Sequence, residues 1–460
     1  MKKCSAIILA AGEGKRMKSK HSKVSHKICG KPMVQYVVNS VKGAMIDDVA
    51  VVVGHRAEEV KGCIKGDVTF VLQEKQAGTG HAVMCCEQFL EGKKGTTLVL
   101  YGDTPLISKD TIKDLVAFHN ENNFSSTVLT ANFKDPAGYG RIVRDTSGNI
   151  QRIIEDKDAT EKEREIKEIN SGIYCFDTEE LIDALKQLHN DNSQGEYYLT
   201  DTLGIIKRKG LKVGAFLVKD SDEVVGINSR IQLADVAGMI RAATVRKLMA
   251  DGVTIIDPGA VYIDADVSVG MDTIIYPGTV IEGHTKIGED CIIGPGARIV
   301  DSIIRDGVEI NHSVVLQSEV KSNTHVGPFA YIRPESVIGE NVKIGDFVEV
   351  KKSSVGSYTK VSHLTYIGDS EVGENVNFGC GTITVNYDGK KKNKTIIGDN
   401  AFIGCNTNLI APVKVNDDSY IAAGSTITDE VPEGSLAIAR ERQTVKEGWV
   451  KKKNLERRKK

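Results

Sequence analysis

The chain has 460 residues, a formal net charge of -2 and 27% charged residues. That length predicts two or three domains, each with its own core, and the near-neutral balance argues against nucleic acid as a partner. Nine cysteines, with no C-x-x-C pair, fit reduced cytosolic thiols better than a disulfide framework or a zinc site. No apolar run approaches the roughly 18 residues of a membrane span. The apolar part of "MKKCSAIILAAG" is too short for a signal peptide, and a Gly-x-Gly loop stands where a cleavage site belongs. The chain is therefore expected in the cytoplasm with no membrane partner. Aromatics make up only 5% while glycines number 45, a balance that suggests a glycine-turned repeat.

The first element, Ile7-Ile8-Leu9, runs into Ala10, Ala11, Gly12 and Gly14, with Lys15 and Arg16 next. Backbone N–H groups at a helix start, beside cations, suit phosphate. The Walker pattern is missing, and Met17 stands where a dinucleotide fingerprint needs glycine. By itself the loop fits a phosphate cradle or a plain tight turn. The runs "AIILA", "VAVVVG", "VTFVLQ", "TTLVLYGD", "STVLTANF" and "SGIYCF" then alternate with amphipathic segments at 32–45 and 110–121. This predicts a Rossmann-like α/β domain over 1–228, its sheet mostly parallel and its site at strand ends. Residues 229–250 have helical spacing and read as a connecting helix before Asp251-Gly252.

From 251 to 460 the period becomes six. Ile275, Ile281, Ile287, Ile293 and Ile299 are evenly spaced, as are Val326, Ile332, Ile338, Ile344 and Val350, and Ile397, Ile403, Leu409, Val415, Ile421 and Ile427. Small or branched residues such as Thr324, Ala330, Thr395 and Ser425 sit two positions earlier, on the same side of a strand. Each hexapeptide is a short strand and a turn, and such repeats stack into a parallel β-helix with eighteen residues per coil.

Arg333 follows Ile332 and Lys351 follows Val350, eighteen residues apart. They should stack about 4.8 Å apart. Two cations so close would repel unless an anion lay between them, so the pair marks either a phosphate site or a solvated basic face. His363 and Tyr366 share the stretch "KVSHLTYIGD", where the six-residue beat slips. An insertion between Phe378 and Ile397 carries Asn386 and Tyr387, and solenoid insertions usually mark a functional face. Cys405 and Ala423, two after Ile403 and Ile421, should also stack and leave a groove. The tail "WVKKKNLERRKK" is basic.

"LAAGEGKRM" with Lys23, "QEKQAGTGHA" at 73–82, "LYGDTPL" at 100–106 and "NSGIY" at 170–174 resemble the sugar-1-phosphate nucleotidyltransferases. With the hexapeptide half behind them, the chain resembles the bifunctional N-acetylglucosamine-1-phosphate uridylyltransferase/glucosamine-1-phosphate N-acetyltransferase family up to "KEGW" at 446–449. The resemblance implies that the repeats form a left-handed β-helix. It implies acetylation of glucosamine-1-phosphate by acetyl-CoA, then uridylylation of N-acetylglucosamine-1-phosphate by UTP, feeding cell-wall and lipid A precursors. By the same resemblance Leu9, Ala10, Ala11, Gly12 and Arg16 cradle the triphosphate and Lys23 neutralises the α-phosphate. Gln73, Gly78 and Thr79 read uracil, and Tyr101 and Gly102 lead to Asp103. Asp103 and Asn228 hold Mg²⁺, the lesser reading of Asp103 alone being a helix cap. Gly140, Glu155 and Asn170 hold the acetamido sugar. In the second half Arg333, Lys351, Tyr366 and Asn377 bind glucosamine-1-phosphate. Imidazole suits proton removal from an amine near neutral pH, and the resemblance makes His363 that base, with Asn386 orienting the amine or the imidazole. Cys380, Asn386, Tyr387, Cys405, Ala423 and Arg440 line acetyl-CoA, and the family forms homotrimers. Four positions depart from the family: Lys15 for Thr, Ser22 for Pro, Cys380 for Ala and Cys405 for Ser. A one-site nucleotidyltransferase with a regulatory or oligomerising β-helix remains the alternative, and a trimeric scaffold a third.

Overall fold

A computed structural model describes residues 3–192 and 194–455. Two compact units emerge, Met1–Ile240 and Arg241–Lys460. Their border falls inside the helix Arg230–Ala250, the segment with connector spacing. Residues 456–460 of the basic tail lie outside the described part.

In the first unit one sheet runs in the order Val213–Leu217, Ser126–Asn132, Glu168–Asp177, Thr96–Tyr101, Cys4–Leu9, Asp48–Val53, Thr69–Leu72. Cys4–Leu9 pairs in parallel with both of its neighbours. Ala6 and Ile8 enter one apolar core while Ile7 and Leu9 enter the other, as expected of a strand covered on both faces. Along this path one strand is reversed, Glu168–Asp177, which runs antiparallel to both strands beside it, and off the path Gly140–Arg144 pairs antiparallel with it and with Ile150–Ile154. That reversal decides where Asn170 goes. It stands near the amino end of its own strand, opposite Thr130 at the carboxyl end of the parallel set. The site residues of several strands thereby meet at one edge of the sheet.

The second unit is a left-handed parallel β-helix whose coils form sheets of eleven, ten and nine short strands. The evenly spaced aliphatic residues are its core, with Ile275, Ile281, Ile293, Ile332, Ile338, Val350, Ile403 and Leu409 fully buried. The small residues two positions earlier are buried too, and some of their hydroxyls tie coil to coil, while those of Ser336 and Thr395 are buried with no hydrogen-bond partner among the described residues. Thr324 Oγ1 donates to the carbonyl of Gly339 at 2.7 Å and accepts from the Val342 N–H at 3.0 Å. Pairing of Ile332 with Val350 and of Ile403 with Ile421 confirms the eighteen-residue coil there. Elsewhere a coil is shorter, as where Val361 pairs with Phe378, and the coil holding the insertion is longer, pairing Phe378 with Ile403.

Candidate active sites

A cavity of about 660 Å³ opens in the first unit and is lined by the loop after Cys4–Leu9, by Lys23, Gln73, Gly78 and Thr79, and by Tyr101 and Asp103. Gly140, Glu155, Asn170 and Asn228 complete the wall. Two of the residues singled out from sequence stand apart. Gly102 lies beneath the wall, donating its N–H to Leu9 O at 2.9 Å. Arg16 is exposed in the short helix Lys15–Met17 and does not line the cavity.

Lys23 is the centre of the site. Its ammonium forms an ion pair with Asp103 Oδ2 and donates to Asn228 Oδ1 at 3.0 Å. Asp103 is in turn fixed through its carbonyl, which accepts the Ile227 N–H at 3.0 Å. A carboxylate and an amide oxygen thus converge on one point beside a glycine loop. That hard-oxygen pair suits Mg²⁺, which takes one or two protein oxygens and fills the rest with water and phosphate. Among the described residues no group of three or more His, Cys, Asp or Glu could hold a metal, so a cation here would take its other ligands from substrate and solvent. Gly14 explains part of the loop's composition. Its φ is +67°, and a Cβ there would lie 2.6 Å from Lys23 Cβ.

The turn bearing Lys23 is anchored by Glu59, which accepts from Ser22 N, Ser25 Oγ and His21 Nδ1. Ser22 has φ -59°, a value proline also adopts, so the departure from the family's proline leaves the backbone path intact.

At the sugar end, Asn170 Oδ1 accepts from the Gly172 N–H and from Tyr174 OH, both at 2.9 Å, which leaves the amide N–H₂ as its donor for a ligand. Glu155 follows the strand Ile150–Ile154 and lines the cavity. Burial raises its pKa, and Asp158, Asp201 and Asp156 raise it further.

In the second unit the proposed residues fall into two groups on different corners of the coil. The first lies at the turn after Tyr366–Gly368. Lys351 Nζ sits 3.1 Å from Asp369 Oδ2, and Arg333 Nη1 sits 2.8 Å from Glu349 Oε1. The stacked cations are therefore each offset by a carboxylate, and the expectation that their repulsion demands a bound anion is corrected. Asn386 joins this group, donating to Asp369 Oδ2 and to Tyr366 OH. The insertion folds back as a hairpin, bridging Tyr387 to Lys392. Lys392 lies beside Lys351, whose hydrogen bond and charge lower its pKa. Sequence reasoning named neither Lys392 nor Asp369. Four lysines crowd that insertion, and nothing in their spacing says which one folds back.

The second group is a column along the corner before Tyr366–Gly368. Asp346 pairs with His363 in register. One coil on, Gly381 N–H bonds Leu364 O, which brings Cys380 next to His363. Asn406 N–H bonds Cys380 O at 2.8 Å and Gly424 N–H bonds Cys405 O at 2.8 Å, so Cys405 and Ala423 continue the line. Arg440 ends it, its Cδ 3.8 Å from where a Gly424 Cβ would stand. Cys405 is exposed and Cys380 partly so, as their outward register predicts. Asn377 is half-buried on the neighbouring strand face, pairing with Lys360 and Phe402. Among the described residues no hydrogen bond joins His363 to Arg333 or Lys351.

Fold and sites together define a two-part transferase. A nucleotidyl transferase family matches residues 5–231, and the bacterial transferase hexapeptide family (six repeats) matches 266–301, 317–352 and 394–429. Over 455 residues the chain is 61% identical to the bifunctional protein GlmU of Acetivibrio thermocellus, covering 99% of each. It is 58% identical to that of a Type A Clostridium botulinum strain over 451 residues, 98% of each, and 57% identical to that of Clostridium novyi over 454, 98% of this chain and 99% of the relative. The chain belongs to the bifunctional GlmU family.

Proposed function

We propose that this enzyme acetylates glucosamine-1-phosphate with acetyl-CoA in its β-helix and then joins the product to UMP from UTP in its α/β unit. The products are UDP-N-acetylglucosamine, a precursor for peptidoglycan and lipid A, and pyrophosphate. What carries this reading is one observation: a chain of this family holds both the Lys23–Asp103–Asn228 cluster and the His363 column. In uridylyl transfer the sugar phosphate oxygen attacks the α-phosphorus of UTP, so the protein's work is positioning and charge. Lys23 neutralises the α-phosphate, the Gly12–Gly14 loop and Arg16 hold the triphosphate, and Gln73, Gly78 and Thr79 read uracil. Gly140, Glu155 and Asn170 hold the acetamido sugar. Asp103 and Asn228 would hold Mg²⁺, which supplies positive charge against the phosphates.

In acetyl transfer His363 removes a proton from the amine, the amine attacks the acetyl carbonyl, and the thiolate of CoA leaves. Arg333, Lys351, Tyr366 and Asn377 hold the sugar phosphate, and Asn386 orients the amine. Acetyl-CoA runs along Cys380, Tyr387, Cys405, Ala423 and Arg440. Because base and phosphate residues occupy different corners of one coil, the reading includes a homotrimer in which neighbouring copies complete each acetyl site. Its proposed location is the cytoplasm, where UTP, acetyl-CoA and reduced thiols are found.

The test is product analysis with glucosamine-1-phosphate, acetyl-CoA, UTP and Mg²⁺, omitting one component at a time. Without UTP, N-acetylglucosamine-1-phosphate should accumulate. Without acetyl-CoA, no nucleotide sugar should form until N-acetylglucosamine-1-phosphate is supplied. A protein that uridylylates that supplied sugar but never acetylates is the one-site alternative.

A further inference from the structure

His363 does not stand alone at its corner. Its Nδ1 lies 2.6 Å from Asp346 Oδ1, and the two residues are register partners on the adjacent strands Lys343–Asp346 and Lys360–His363. The backbone holds them there. Leu364 N–H bonds Asp346 O at 2.9 Å. Gly345 lets the strands approach, since a Cβ on it would lie 1.9 Å from Ser362 O. Phe347 and Leu364, the next residues, both take positive φ and turn the chain sharply at the same level. A carboxylate accepts and does not donate, so an ionised Asp346 requires the proton on Nδ1 and leaves the lone pair on Nε2. Asp346 is ionised at neutral pH, because the hydrogen bond from His363 holds its carboxyl below the usual range. Other charged or titratable neighbours are Lys343 from the preceding coil, Lys360 on the same strand and Cys380 from the next coil. The side chains of His363 and Asp346 are 59% and 38% exposed, so the pair adds little to folding stability and its value lies in orientation.

We propose that Asp346 is a positioning residue for acetyl transfer, fixing the His363 tautomer so that Nε2 takes the proton from the substrate amine. This rests on the reading of His363 as the base. In the step itself Nε2 accepts the proton, the N–C bond forms, the C–S bond breaks, and the Asp346 carboxylate stabilises the imidazolium without taking its proton.

The test compares wild type with Asp346→Asn, Asp346→Glu and His363→Ala over a range of pH. General-base catalysis contributes about 10²–10⁴-fold, and losing the orienting carboxylate should remove part of that. For Asp346→Asn the plateau kcat should fall about tenfold or more while KM for both substrates holds. The acid limb of the profile should move to lower pH, because the imidazolium loses its counter-charge. Asp346→Glu should recover part of both effects. Uridylyl transfer by the same proteins reports the integrity of the α/β unit only, and Tm reports the folding of the β-helix. A wild-type kcat with an unmoved acid limb in Asp346→Asn overturns the proposal, as does a change confined to Tm or KM. Acetyl transfer surviving in His363→Ala would instead overturn the assignment of the base.

Discussion

Lys351 Nζ lies 3.1 Å from Asp369 Oδ2, and the same carboxylate accepts the amide of Asn386. One acid thus holds both the cation proposed for the phosphate and the amide proposed to orient the amine. Removing it takes away negative charge, which by electrostatics alone would favour a phosphate ligand. Asp369→Ala is nonetheless expected to raise KM for glucosamine-1-phosphate, because both partners lose their geometry. A lowered KM in steady-state acetyl assays would show that charge outweighs position.

Arg333→Ala and Lys351→Ala should each raise the same KM. A charge-assisted contact is worth on the order of 1.5–3 kcal/mol, and the double variant should be non-additive if both hold one phosphate. Small, additive effects would mean a solvated face.

In the α/β unit Asp103→Ala frees the Lys23 ammonium and removes one of the two oxygens facing it. Mg²⁺-dependent uridylyl transfer should be lost, and acetyl transfer in the other unit should continue near its normal rate. EDTA should reproduce this pattern in the wild type. Uridylyl transfer that persists without a divalent cation would remove Asp103 from the metal site.

Glu155 carries a pH signature. Its folded-state pKa is raised above the ordinary 4.5 by burial and by Asp158, Asp201 and Asp156. The folded state therefore holds the proton more tightly than the unfolded chain. Stability on this account falls as pH rises through that window, and the cost is complete above it. Glu155→Gln should raise Tm by a few degrees at neutral pH, with the gain vanishing below pH 4.5. The same variant should bind the acetamido sugar less well in uridylyl assays.

Cysteine reactivity should separate the two reactions. Cys405 is exposed, whereas burial pushes the thiols of Cys4 and Cys86 up to about 12. N-ethylmaleimide should therefore label Cys405 and block acetyl transfer by bulk, and acetyl-CoA should protect where UTP does not. Mass spectrometry of the adducts checks the site. Full acetyl activity with Cys380 and Cys405 both alkylated would take them out of the coenzyme groove.

The sequence by itself determined whatever repeats or lies close along the chain. The six-residue beat fixed the inward aliphatic column and the outward register of Cys405 and Ala423, because side chains alternate along a strand and coils stack in register. The Gly12–Gly14 turn was legible for a similar reason, as one strand feeding one loop. Residue roles, by contrast, came from resemblance, since no spacing says what Asn228 or Asn170 touches. Tertiary structure alone brought Asn228 to Lys23 and reversed Glu168–Asp177 so that Asn170 reaches the edge of the cavity. It also supplied the carboxylates. Glu349, Asp369 and Asp346 are singled out by no motif or spacing, and only the pairing of neighbouring coils sets them against Arg333, Lys351 and His363. A long-range ion pair leaves no local pattern, because its geometry depends on how many residues each intervening coil takes, and those coils vary in length.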